Sequence, residues 1–225
     1  MMVLRVVNEC VRLGLRSGAI VFRGVRVTAR GPELQAEITA EAQKVRAHYD
    51  DVQAIRAAPA VAGFQEILDK AGVKPRKVQP SVERLLSHVA RRGDLPTINS
   101  LVDAYNLVSM RSLCSLGAHD LDRITLPISL RLLNGAEAFT PLGKGSAQAV
   151  SAGEFGYVDA DNRVLCWLDV LQAEFSKVTS ATVNAVLIVE GNHVHSAETL
   201  CNTCIMAIEL ITRHCGGTAE VVAYP

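Results

Sequence analysis

A histidine flanked by carboxylates is the first place in this sequence where side chains could do chemistry. His119 follows Gly117 and Ala118, and Asp120 and Asp122 lie one and three positions after it. Neighbouring carboxylates would hold an imidazole in one tautomer and raise its pKa. Such a histidine could act as a general base, position a water or bind a ligand, and it could equally be a structural turn residue.

The segment before this histidine predicts a helix with a polar edge. On a helical wheel, Asn99, Asp103 and Asn106 form a narrow stripe beside the apolar face. A helix side that only faces water usually carries Lys, Glu or Arg, because these are better helix formers than Asn and Asp. The stripe therefore either places hydrogen-bonding groups for a ligand or caps and ties down neighbouring loops.

Four basic residues bracket the helix predicted for residues 81–92. Arg76 and Lys77 lie in a proline-containing connection before it, and Arg91 and Arg92 lie at its C-terminal end. If these side chains converge on one face, they could contact phosphate groups. The other interpretation is a solvated surface, which is the more common role of a short basic run.

Histidine and cysteine near the C-terminus are the residue types that bind zinc: His193, His195, Cys201 and Cys204. Both cysteines fall inside a predicted helix, and no second pair completes a zinc ribbon or finger. No cysteine stands at a strand-to-helix elbow beside a histidine, as a nucleophile would require. We expect neither a metal site nor a cofactor.

Composition limits the class of protein. The chain has 225 residues, 49% of them hydrophobic, so it can bury a large core. No apolar run approaches the ~20 residues of a membrane span, and charges interrupt the apolar N-terminal run, unlike a secretory signal. Because the net charge is zero, any nucleic-acid contact must be local. We expect a cytoplasmic protein whose six cysteines are mostly buried.

The hydrophobic pattern indicates both helices and strands. Apolar residues at helical spacing predict helices at residues 32–50, 60–71, 81–92 and after Ser196. Apolar runs bounded by turn residues predict strands, among them a hairpin across residues 159–162 and a central strand at 183–190.

These elements predict one α+β domain over residues 1–225, with a mixed or antiparallel β core flanked by helices. Residues 81–191 would form the core that carries the motifs. Residues 1–72 would complete that core, and residues 192–225 would add a last helix and strand.

Several short motifs stand in a fixed order along the chain: VDAYNLVSM, GAHDLDRI, a GE pair before the hairpin, and SKVTSATVNAVLIVEG. Together they resemble the editing domain, called B3/B4, of the phenylalanyl-tRNA synthetase β subunit, and most of all its freestanding relatives. The likeness covers residues 81–191. In that family the domain hydrolyses mischarged tRNA, because a synthetic pocket discriminates poorly between similar side chains. The resemblance implies the same α+β fold, with aminoacyl-tRNA as the partner.

For the site, the resemblance implies a deacylase acting in trans on the aminoacyl ester. His119 would orient the attacking water, and Asp120 would orient His119. Asn99 and Asn106 would bind the amino-acid moiety or the terminal adenosine. The remaining roles would be Lys177 at the oxyanion or a phosphate, Thr179 and Thr182 on the pocket floor, Glu154 as a further substrate contact, and Arg76, Lys77, Arg91 and Arg92 on the tRNA.

Two other functions fit the same residues, because sites and not folds carry function. One is a non-catalytic module that binds RNA or an amino-acid-like ligand. The other is a hydrolase of a different amino-acid ester or amide, which would not need tRNA.

Overall fold

A computed structural model describes residues 2–73 and 78–224. The helices are α1 (Asn8–Leu13), α2 (Pro32–His48), α3 (Val52–Ala57), α4 (Pro59–Lys70), α5 (Ser81–Arg92), α6 (Ser100–Ser112) and α7 (Ala197–Cys215). The strands are β1 (Leu4–Val6), β2 (Arg16–Arg23), β3 (Ser115–Asp120), β4 (Ile128–Leu132), β5 (Phe155–Val158), β6 (Val164–Trp167), β7 (Leu171–Gln172), β8 (Asn184–Gly191) and β9 (Thr218–Ala223).

The strands form two sheets. One is antiparallel with the order β3-β8-β2-β9, and the other has the order β1-β4-β5-β6-β7. In the second sheet β1 pairs with β4 in parallel, and the other pairs are antiparallel. The predicted α+β fold with a mixed or antiparallel β core is therefore confirmed.

The first sheet lies between the helices and the second sheet. Alternate side chains of a strand point to opposite faces. On β2, Ile20 and Phe22 pack in the core that contains the helices. Their neighbours Ala19 and Val21 pack in a second core with residues of the other sheet. The first sheet is thus apolar on both faces, which explains why β8 reads as a nearly continuous apolar run.

Most of the longer elements match the sequence pattern. The helices expected at 32–50, 60–71, 81–92 and after Ser196 correspond to α2, α4, α5 and α7. The expected hairpin is β5 and β6, and the expected central strand is β8, which pairs with β3 on one side and β2 on the other. The short helices α1 and α3 were not predicted, because six residues hold too few turns to show a helical repeat.

Candidate functional site

A cavity of about 520 Å³ lies where α5 and α6 meet the facing edges of the two sheets. The polar side chains of its wall include Ser81 and Arg84 from α5, Asn106 from α6, His119 from β3, and Asp169 and Gln172 beyond β6. The volume is in the range typical of small-molecule sites. Two of the residues predicted for the site, His119 and Asn106, therefore lie on the wall of one cavity.

His119 is a buried side chain on β3, not a residue in a turn. Its Nδ1 lies 3.0 Å from the Oγ of Ser176, in the loop before β8. Burial lowers the pKa of His119 to about 4, because the charged imidazolium would lose its hydration. The imidazole is therefore neutral at neutral pH, and the expected rise in its pKa is wrong.

Asp120 does not orient His119, contrary to the prediction. The two residues are consecutive on β3, so their side chains point to opposite faces of the sheet. The Asp120 carboxylate accepts hydrogen bonds from the backbone N–H of Asp122 at 3.1 Å and from the hydroxyl of Thr182 at 2.7 Å. Asp120 thus caps the short 3-10 turn Leu121–Arg123 and anchors the loop before β8.

The two threonines predicted for the pocket floor lie in that loop, outside the cavity wall. The backbone N–H of Thr179 donates to the Oγ1 of Thr182 at 3.0 Å, and the Thr182 hydroxyl donates to Asp120. These hydrogen bonds hold the turn that leads into β8, so the short polar run before this strand is structural. Neither Thr179 nor Thr182 lines this cavity, so their predicted place on a pocket floor stays a prediction.

The polar side chains of α6 were expected either to bind a ligand or to cap and anchor neighbouring loops, and different residues fit each interpretation. Asn106 is on the cavity wall. Asn99 instead caps the helix, because its Oδ1 accepts from the backbone N–H of Val102 at 3.0 Å. The buried Asp103 pairs with the guanidinium of Arg30 at 2.8 Å. The structure thus gives Asn99 a capping role, and its predicted contact with substrate stays a prediction.

Two further predicted contacts lie away from the cavity wall. Lys177 forms an ion pair with Glu174 and is about half exposed. Glu154 is buried just before β5. Neither side chain lines the cavity, so neither is placed to contact a ligand bound there.

The basic residues on α5 partly extend the cavity wall. Arg84 and His88 line the cavity, and Arg91 is three residues after His88, on the same face of the helix. Arg91 and Arg92 are exposed at the C-terminal end of α5. The predicted contacts at Arg76 and Lys77 lie outside the described residues.

A buried carboxyl group that the sequence analysis missed lies beside the cavity. Glu190 on β8 is fully buried, and its neighbours in register are Ser17 on β2 and Ser115 on β3. The hydroxyl of Tyr157, from β5 of the other sheet, donates to Oε2 of Glu190. Ser17 donates to the same oxygen at 3.3 Å. Glu190 therefore joins both sheets next to the cavity.

A second carboxyl group completes a pair. Asp169 is on the cavity wall, in the turn between β6 and β7, where both Leu168 and Asp169 have positive φ, at 56° and 55°. The hydroxyls of Ser81 and Ser115 and the carboxyl group of Glu190 lie beside its carboxyl group and shift its pKa. We call Asp169 and Glu190 the acid pair. Two neighbouring buried carboxyl groups disfavour ionisation of both at once, because like charges repel in a site of low polarity.

The pKa values of both carboxyl groups of the acid pair are raised. Burial raises the pKa of Asp169. The Ser115 hydroxyl and the charge of Arg84 act in the opposite direction, but their effect is smaller. Burial also raises the pKa of Glu190 well above its ordinary value, and the neighbouring charge of Asp169 adds to that rise. The pair therefore keeps one proton and one negative charge near neutral pH.

One sequence signal could have found half of this pair. Glu190 ends the nearly continuous apolar run that forms β8, and an acid at that place in a strand buried on both faces must have a partner. Asp169 gives no comparable signal, because an aspartate after a strand is an ordinary turn residue. Ser81, the first residue of α5, has its Oγ 2.6 Å from the Oγ of Ser115.

Two classes of site have no support in the described part of the chain. No helix there is long and apolar enough to cross a membrane. Nor does the same part contain a group of three or more His, Cys, Asp or Glu side chains arranged to hold a metal ion.

A comparison with protein families matches residues 65–216 to the model of the B3/4 domain. The match covers more than half of the chain and contains every residue of the cavity wall. The chain belongs to the B3/4 domain family. The resemblance seen in the sequence motifs is thereby confirmed.

A solved structure shares the fold of this B3/4 domain. It is an N-terminal fragment of the phenylalanyl-tRNA synthetase β subunit from Pyrococcus horikoshii, with a TM-score of 0.52 and 12% sequence identity. The alignment covers 97% of this chain and 50% of the fragment, so the chain spans about half the length of that relative. A comparison with curated protein sequences finds no significant match.

Proposed function

We propose that this B3/4 domain is an aminoacyl-tRNA deacylase that acts in trans on mischarged or non-cognate aminoacyl-tRNA. The observation that carries the proposal is that a neutral, buried His119 and Asn106 share the wall of one cavity. That cavity belongs to a domain related in fold to part of a tRNA synthetase subunit. Fold and family support a tRNA-associated role, and the cavity supports the hydrolytic one.

The chemistry required is modest, because an aminoacyl ester is already an activated bond. The site must hold the ester, place a water against its carbonyl carbon and stabilise the oxyanion that forms. With Nδ1 of His119 engaged by Ser176, Nε2 is the ring nitrogen through which His119 would hold this water. A base with a pKa of about 4 accepts a proton only weakly, so His119 acts mainly by positioning.

Asn106 supplies the other polar group that the proposal uses. Its side-chain amide carries two N–H donors and a carbonyl acceptor. The N–H donors can stabilise the ester carbonyl as its oxygen becomes negative, and the acceptor can bind a ribose hydroxyl. Asn99, Asp120, Lys177, Thr179, Thr182 and Glu154 have no part in this mechanism, because they lie outside the cavity wall.

The tRNA itself would lie along α5. Arg84, His88 and Arg91 share one face of this helix, and the first two of them line the cavity. A strand of phosphates that runs along this face would bring the 3′ end of the tRNA to the cavity. Arg91 and Arg92 are the exposed cations at the far end of this path.

The experiment is a hydrolysis assay with catalytic amounts of the full chain and a panel of radiolabelled aminoacyl-tRNAs, both cognate and mischarged. We expect rapid and selective loss of label from one or a few species, compared with a control that contains no protein. Stability of every species would overturn the proposal. A parallel filter-binding assay would then separate a non-catalytic RNA-binding module, which retains tRNA, from a protein with no tRNA function.

A further inference from the structure

The acid pair is the strongest polar feature of the cavity that the deacylation chemistry does not use. Glu190 is fully buried, and its Oε1 receives no hydrogen bond from an N–H or O–H group in the described part of the chain. This oxygen belongs to the carboxyl group that contacts Asp169, and Asp169 lines the cavity. Burial of a carboxyl group without full compensation is expensive, which favours a role in binding.

The surroundings indicate where the proton and the charge of the pair lie. Asp169 lies on the cavity wall and is partly exposed, and the nearby hydroxyls of Ser81 and Ser115 lower its pKa, so its surroundings favour the ionised form. Glu190 accepts hydrogen bonds from Tyr157 and Ser17, which favour its ionised form, but it lies in the middle of a sheet and is more deeply buried than Asp169, and this burial has the larger effect and favours the protonated form. The proton therefore lies on Glu190, and the negative charge lies on Asp169 at the cavity wall.

The part of the cavity wall formed by Asp169 and Ser81 presents a negative charge and a hydroxyl oxygen, which suits a cation with several N–H donors, whereas Arg84 on the same wall is assigned above to the tRNA phosphates. An aminoacyl ester is such a ligand, because its carboxyl group is blocked by the ester and its α-ammonium group remains charged. An ammonium group has three N–H donors. Asp169 and Ser81 offer a carboxylate and a hydroxyl acceptor on the cavity wall, and Ser115 lies behind them with its Oγ 2.6 Å from that of Ser81.

We infer that Asp169, supported by Glu190, binds the α-ammonium group of the aminoacyl ester in this cavity. The inference rests on the proposed function and specifies its substrate class as esters of amino acids with a free amino group. Esters whose amino group is acylated, such as those of peptidyl-tRNA, would then be poor substrates. Glu190 is a positioning residue here, since it acts through Asp169.

The first test replaces the ammonium group with a hydroxyl group of similar size. The same tRNA is charged with an amino acid or with the corresponding α-hydroxy acid, and kcat/KM is measured for both esters. We expect the hydroxy ester to be hydrolysed with a kcat/KM lower by about tenfold or more, because a charge-assisted hydrogen bond is lost. Equal values would overturn the inference and leave the proposed deacylase in place.

The second test needs neither tRNA nor hydrolysis. Calorimetric titration compares a panel of L-amino-acid amides, which carry the ammonium group and no carboxylate, with their α-hydroxy counterparts. We expect at least one amide to bind about tenfold more tightly than its hydroxy counterpart. In Asp169→Asn this preference should vanish, and in the control Asp69→Asn, at an exposed site on α4, it should persist.

The two tests separate failure of the inference from failure of the proposed function. If amides bind with a preference that depends on Asp169 but no aminoacyl-tRNA is hydrolysed, the inference holds and the deacylase proposal is wrong. If the wild-type protein binds amides and hydroxy amides equally, or binds neither, the inference is wrong. This comparison uses wild-type protein, so it does not depend on the folding of Asp169→Asn.

Discussion

His119 and Ser176 are joined by a hydrogen bond of 3.0 Å between Nδ1 and Oγ, although they are 57 residues apart in the sequence. The bond connects β3 to the loop before β8 and fixes the imidazole on the wall of the cavity. It is this serine, and not the adjacent carboxylate of Asp120, that orients the histidine. The predictions for the site start from this pair.

His119→Ala should lower the rate constant kcat of deacylation by about 10²-fold, because the attacking water loses the group that positions it. His119→Gln keeps a side-chain amide on the cavity wall and should recover part of the rate. Single-turnover assays with a saturating concentration of protein measure both variants. Unchanged hydrolysis in His119→Ala would remove this residue from the mechanism.

The effect of His119→Ala should also be independent of pH between about 5.5 and 8. Burial lowers the pKa of His119 to about 4, so the imidazole of the wild type stays neutral over this whole range. A histidine with an ordinary pKa of about 6.5 would become protonated towards pH 5.5, and its contribution would fall. The ratio of wild-type to variant rate constants, measured at several pH values, decides between a constant and a declining contribution.

Gly117→Val should fill the cavity without unfolding the protein. Gly117 lies on the cavity wall in β3, and a Cβ added there meets no atom within 4 Å. We expect loss of deacylation and of amide binding, with the thermal midpoint close to that of the wild type. Gly145→Val, at an exposed loop position that is equally open, is the matched control and should keep both activities. Full activity in Gly117→Val would place the site elsewhere.

Arg91→Ala and Arg92→Ala should each weaken tRNA binding and lower the slope of log K against log salt concentration by about one. Both side chains are exposed at the end of α5, where phosphates could reach them. Filter binding at several salt concentrations measures the slope. Lys70→Ala, an exposed cation at the end of α4, is the control for a general effect of charge. The same slope in the arginine variants and the wild type would exclude these two contacts.

Glu190→Gln should become more stable relative to the wild type as the pH rises. The pKa of Glu190 lies well above its ordinary value of 4.5, so the folded protein keeps a proton that the unfolded chain releases. The wild type therefore loses free energy of unfolding above pH 4.5, by up to about 1.4 kcal/mol per pH unit for one proton. Glutamine does not titrate, and it stays neutral at every pH, like the protonated acid that it replaces.

Urea denaturation of both proteins at pH 5, 6, 7 and 8 gives the free energies of unfolding for this comparison. If the free energy of unfolding of Glu190→Gln increases relative to that of the wild type as the pH rises, Glu190 is protonated in the folded wild type. Parallel pH profiles would show that Glu190 ionises normally in the folded protein, and the charge distribution of the acid pair would have to be revised.

The sequence by itself determined most of the regular structure and the family. Helical spacing of apolar residues located α2, α4, α5 and α7, and a nearly continuous apolar run marked β8 as central. These signals are local, because burial of one face of an element is encoded in the period of its own residues. The motif order was sufficient to indicate the B3/4 family, and two of the residues predicted for the site, His119 and Asn106, line the cavity.

Only the tertiary structure decided which polar groups meet. Ser17, Ser115 and Glu190 are far apart in the sequence and become neighbours because β2 and β3 pair with β8 in one particular register. A shift of one residue would turn each side chain to the other face of the sheet. The acid pair and the bond between His119 and Ser176 depend on this register and on the packing of the two sheets. No local pattern encodes either, so Asp169 was missed, and Asp120 was given a role that belongs to Ser176.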